Sequence, residues 1–141
     1  MRRRPRLAAM LLLALGGTAS AAPALTDIPG ETPGQCRNAD DPVLCLSKLA
    51  DRSEAHVRSA LHKAREALKA STTISDDGRP AALATLERTQ TAWQAYLKAR
   101  CEGEVPVAFT GGTGRNHAVM TCIRVHNERR AAELSDLADM S

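Results

Sequence analysis

Residues 41–70 read DPVLCLSKLADRSEAHVRSALHKAREALKA, and this stretch decides the fold class. Leu46, Ala50, Ser53, Val57, Ala60, Ala64 and Ala67 recur at alternating steps of four and three, with Leu49, Leu61 and Leu68 beside them. That spacing puts small and apolar side chains on one stripe of an α-helix. Lys48, Arg52, Arg58, Lys63 and Glu66 fall mostly outside the stripe. Asp41 is placed to cap the helix and Pro42 is favoured at its first position.

Working outward toward the C-terminus, Ser71 to Arg79 is a polar turn containing Asp76-Asp77-Gly78. A second helix is expected from Pro80 to about Cys101, stopping near Gly103, with a stripe of Leu83, Leu86, Gln90, Trp93 and Leu97. Glu104 to Asn116 reads as irregular, because Pro106 breaks helices and Gly111-Gly112-Thr113-Gly114 opens backbone angles closed to other residues. A third helix is expected over His117 to Asp139, with Val119, Cys122, Ile123, His126, Arg130, Leu134 and Leu137 on its inner or boundary face. No alternating strand pattern is present. The expected class is therefore all-α, a three-helix up-down bundle or helical hairpin with a Gly-rich loop.

Toward the N-terminus, Arg2, Arg3, Arg4 and Arg6 precede an apolar run from Leu7 to Leu15 and a small-residue site at Ala19-Ser20-Ala21. Residues 1–21 are thus expected to be a cleavable signal peptide, since the apolar run is shorter than the ~20 residues a membrane helix needs. The expected place is the periplasm or the medium, without a membrane anchor after cleavage. Residues 22–40, rich in Pro and Gly up to Gln35, are expected to form a flexible arm ahead of a helical domain at 41–141. Of the 19 Lys+Arg and 16 Asp+Glu, four arginines and no acid lie within residues 1–21. The rest of the chain is therefore near neutral, and nucleic-acid binding, which needs a basic patch, is not expected.

The chain has one Trp, one Tyr and one Phe. Its core must be aliphatic and rich in alanine, with modest apolar area per residue, so covalent staples would help. Four cysteines, Cys36, Cys45, Cys101 and Cys122, suit an exported disulfide framework. Three connectivities are possible. Cys36–Cys45 with Cys101–Cys122 is favoured, because each pair brackets a short segment carrying turn or loop signals. No Cys-x-x-Cys motif or common zinc spacing is present, so neither metal nor cofactor is expected, although Cys122 and His126 stand four residues apart. Catalysis is not expected either. The histidines His56, His62, His117 and His126 show no nucleophile or metal spacing, no Gly-x-Ser-x-Gly elbow occurs, and Glu102 and Glu104 read as solvent-facing.

Gln90-x-x-Trp93-x-x-Tyr96, Cys101, Gly111-Gly112-Thr113, Cys122 and Arg130-x-x-x-Leu134 together resemble the lysozyme inhibitor LprI-like family of small exported bacterial helical proteins. The resemblance spans roughly residues 36–137. It departs at Leu97 and Lys98, where the family often has Arg-Asp, and at Asn127, where a Thr is common. The resemblance implies a non-enzymatic binding protein, with Gln90, Trp93, Tyr96, Arg130 and Leu134 defining the fold. A partner-binding loop is expected at 109–117, pinned by Cys101–Cys122 and presenting Gly111, Gly112, Thr113, Arg115 and Asn116 to a lysozyme cleft. Two other readings fit the same residues: a module that binds another envelope protein, and a structural envelope protein without inhibitory activity.

Overall fold

The computed structural model describes residues 34–109 and 113–141. Residues 1–33 and 110–112 lie outside the described residues, and with them the expected signal peptide, the expected arm up to residue 33 and Gly111-Gly112. Among those described there is no strand. Three long helices carry the fold: α1 (Pro42–Ala70), α2 (Arg79–Leu97) and α4 (Thr113–Met140), with a short α3 (Val105–Ala108) before the last.

The start of α1 follows its local chemistry. Asp41 is extended (φ −128°, ψ 96°), and its carboxylate accepts the N–H of Leu44 at 2.9 Å. Pro42 occupies the first turn, where its missing N–H costs nothing. We expect Asp41→Ala to lower stability by about 1 kcal/mol, read as a shift in the urea midpoint at unchanged slope.

Nine of the ten residues expected on the inner face of α1 are buried, from Leu46 to Leu68, and Ala67 is half-buried. Their main partner is α4, and alanine is what makes the approach close: Ala60, Ala64 and Ala131 all lie in the same cluster as Val57, Leu61, Leu68, Leu86 and Leu134. The contacts fix the direction of each helix. Ser53 meets Asn127, whereas Leu68, further along α1, lies beside Leu134 and Leu137, further along α4. α1 and α4 are therefore parallel. α2 returns alongside them: Arg65 of α1 grips Glu87 through two bonds of 2.6 and 2.8 Å, and Leu97 at the far end of α2 comes level with Val57. The topology is up-down-up.

The face that α4 turns inward is partly polar. Thr121 and Asn127 are essentially inaccessible, alongside Ala118, Cys122, Ala131 and Leu134. Asn127 donates to Ser53 Oγ at 3.0 Å, and that hydroxyl donates on to the carbonyl of Ala50 at 2.6 Å. The pair thus brings a satisfied polar link into an otherwise aliphatic seam.

Two boundaries differ from the sequence-based expectation. The second helical run does not stop near Gly103. After Leu97 it widens into a π-helical turn over Lys98–Glu104, where the N–H of Val105 reaches the carbonyl of Arg100 five residues back, and it passes straight into α3. Pro106 sits inside this run. A proline ring clashes with the carbonyl four residues earlier in a regular α-helix, and the wider ladder immediately before Pro106 relieves that clash. The last helix, for its part, begins at Thr113 rather than His117. The irregular segment is correspondingly shorter than expected.

Both cysteine pairs form as expected. Cys36–Cys45 ties a short 3-10 turn (Gly34–Cys36) to the first turn of α1, with Cys36 wholly buried. Cys101–Cys122 ties the π-helical turn to α4, with Cα atoms 5.6 Å apart. No helix among the described residues is long and apolar enough to cross a membrane.

Candidate functional site

The second disulfide organises one end of the molecule. Cys101, Val105, Ala118 and Cys122 form a small core of their own, with Leu97, Phe109, Val119 and Ile123 packed against it. It is separate from the larger α1–α4 core. It anchors α3 and the start of α4, which together form a tip at the end of the bundle where α1 and α4 begin. On this tip Val107 is three-quarters exposed, and Gly114, Arg115 and Asn116 are exposed. The expected loop residues therefore divide. Gly111 and Gly112 fall outside the described residues, whereas Thr113, Arg115 and Asn116 belong to the first turn of α4.

That placement sets the electrostatics. The first turn of a helix offers backbone N–H groups with no intrahelical acceptor, equivalent to about half a positive charge. α4 has no acidic residue in its first turn to offset this. Arg115 adds a full charge there and joins no ion pair among the described residues. The acid nearest along the chain on the preceding segment, Glu104, is already paired with Arg100 at 2.5 Å. The tip is thus a compact cationic point on a covalently pinned base.

The other residues of the motif lie along the flank of the bundle, where α2 meets α4. Arg130 is the hub: its Nε donates to the buried amide oxygen of Gln90 at 3.1 Å, its Cζ stands 6.0 Å from the Trp93 ring centroid, and its Nη1 meets Glu133 at 3.1 Å. Leu134, one turn on, is buried. Tyr96 is half exposed and meets the ring of His126 edge-on at 5.4 Å. Gln90, Trp93 and Arg130 are thus engaged with one another, and Tyr96 holds a neighbouring side chain. The sequence missed two members of this layer. His126 was expected on the inner or boundary face without a partner, and Asn127 was noted only as a departure; pairing across two helices leaves no trace in the periodicity of either.

His126 has a pH consequence. Burial and the neighbouring cations Arg129 and Arg100 hold its imidazole below the ordinary value of 6.5. As pH falls through that value the unfolded chain takes up a proton that the folded chain resists, so folding stability declines on the acid side and is fully regained above it. Urea unfolding at about pH 7.5 and about pH 5.5 is expected to show this slope, and His126→Gln to flatten it.

Between α1 and α2 an open cleft of about 330 Å³ is lined by Val57, Leu61 and Trp93 and rimmed by Glu54, Arg58 and Gln94. It could accept a single side chain of a partner but is near the lower limit for a small-molecule site. A His–carboxylate pair on the surface, His56 Nδ1 to Glu128 at 3.0 Å, has no hydroxyl or thiol bonded to it among the described residues.

The family model for lysozyme inhibitor LprI matches residues 36–134, from the first cysteine to the last leucine of the motif. The chain belongs to the LprI lysozyme inhibitor family. Neither a curated protein nor a solved structure matches it. The family's members are described as lysozyme inhibitors, which fits a lysozyme-inhibitor-like protein whose partner is in general terms another protein. Together with its two disulfides, membership also fits an exported protein.

Proposed function

We propose that this LprI-family protein inhibits a lysozyme by placing the tip of α3 and α4 in the enzyme's substrate cleft, with Arg115 set against the catalytic carboxylates. Glycosidases of this kind work with paired Asp or Glu residues in an open groove. The observation that carries the reading is the coincidence, at one pinned point, of a helix N-terminus, an Arg115 that joins no ion pair among the described residues and an absence of first-turn acids. A guanidinium suits a carboxylate through charge-assisted, bidentate hydrogen bonds. Asn116 adds an amide donor and acceptor beside it, and exposed Val107 adds an apolar contact. Because Cys101–Cys122 holds the base of the tip, little conformational freedom is lost on binding.

The test is titration of the purified, oxidised protein against lysozymes of several structural types in a wall-lysis assay. Dose-dependent loss of lysis for at least one type is expected, and it should weaken when the disulfides are reduced. If folded, oxidised protein slows none of them, the cleft-blocking reading is wrong, and binding to a different envelope protein becomes the reading to pursue.

A further inference from the structure

We propose that the reduced form of the protein holds a thiophilic divalent cation, zinc being the natural fit, between the thiolates of Cys101 and Cys122 and the imidazole of His126. The three donor atoms already lie within 4.8 Å of one another. Zinc binds sulfur at about 2.3 Å and imidazole nitrogen at about 2.0–2.1 Å, which places neighbouring donors of a tetrahedral site roughly 3.4–3.8 Å apart. Opening the S–S bond lets the sulfurs separate to that spacing without moving the backbone far, because the two Cα atoms are 5.6 Å apart. Cys122 and His126 share one face of α4 a single turn apart, and the π-helical turn brings Cys101 to them from the other segment.

The surroundings suit the donors. Cys101 and Cys122 are buried among Val105, Ala118 and Leu97, which shields the two sulfurs on their inner side. The edge of Tyr96 holds the His126 ring in place. Arg129 and Arg100, the cations facing His126, favour its neutral form, which is the form that binds metal. Binding a divalent cation releases two thiol protons, one from each cysteine. Closing the disulfide afterwards removes two electrons from the sulfurs and frees the cation; a protein disulfide of the thiol–disulfide exchange class accepts those electrons and becomes a dithiol. The metal-bound state therefore precedes the stapled one. Three protein donors leave a fourth position for water.

The experiment uses the purified protein reduced with a phosphine, which is converted to its oxide with oxygen taken from water. Cobalt(II) serves as the spectroscopic probe. A companion variant, Cys36→Ser with Cys45→Ser, keeps only the second cysteine pair. Both proteins are expected to bind one cobalt with a near-ultraviolet thiolate-to-cobalt band, and zinc should displace it. The oxidised protein should show no band, and His126→Gln should lose about tenfold or more in affinity. Far-ultraviolet dichroism follows helicity throughout. Three results would each overturn the proposal: no band in reduced protein that keeps its helices, affinity unchanged in His126→Gln, or helices lost on reduction that cobalt does not restore.

Discussion

Replacing Cys101 and Cys122 together by serine is expected to lower the unfolding free energy by about 3 kcal/mol and to abolish most of the inhibition. The stability part follows from the 21-residue separation of the pair. Cross-linking a loop of that length removes about 3 kcal/mol of chain entropy from the unfolded state in the loop-closure picture. The structural part follows from where the link sits. The tip has its own small core of Cys101, Val105, Ala118 and Cys122, which has no buried residue in common with the larger cluster of α1, α2 and α4. Two of its four buried members are the cysteines themselves. Without the link, α3 and the start of α4 are held by a few aliphatic contacts, and this end should open before the rest unfolds. Hydrogen exchange would therefore rise at 98–109 and in the first turns of α4, while amides of α1 from Val57 to Leu68 stay protected. The pair Cys36–Cys45 closes only 9 residues and tethers a single 3-10 turn, so its removal should cost less and leave the tip intact. Equal effects of the two removals on inhibition would argue against a tip that depends on its own staple.

The parts of this molecule that can be read from its sequence are those set by local rules. The stripe of α1, the Asp41 cap, the turn at Asp76 to Gly78 and the two short-range cysteine pairs each follow from residues within a few positions of one another. The parts that cannot be read arise between helices. Thr121 and Asn127 lie on the buried face of α4 although an apolar count assigns them to the surface; for Asn127 it is Ser53 of α1 that supplies the polar partner. Pro106 fails to end its helix because the chain widens one turn earlier, and that widening also aims Cys101 at α4. Gly114 and Asn116 are poor helix formers, yet they begin α4, where a covalent tie about two turns on offsets weak propensity. At the tip, the residue types were legible and their setting was not: Arg115 reads as a loop cation in the sequence and stands at a helix N-terminus in the structure.

That setting gives Arg115→Ala its expected size. The substitution leaves folding nearly unchanged, since the side chain is exposed and meets no partner among the described residues. Removing a cation from a helix N-terminus, where it opposes the helix dipole, should if anything stabilise the free protein by a few tenths of a kcal/mol. Loss of a charged hydrogen bond to a carboxylate costs about 1.5–3 kcal/mol of binding, so the inhibition constant should rise by between tenfold and roughly a hundredfold. The opposite signs of the two effects make the variant informative, because weaker inhibition with equal or higher thermal stability cannot come from misfolding. Arg115→Lys separates charge from geometry: a single ammonium keeps the attraction but not the two-pronged fit, and it should recover only part of the loss. Inhibition unchanged in Arg115→Ala would remove the residue from the interface. The search would then move to the cleft between α1 and α2, where Trp93, Glu54 and Arg58 offer the other mixed aromatic and charged surface.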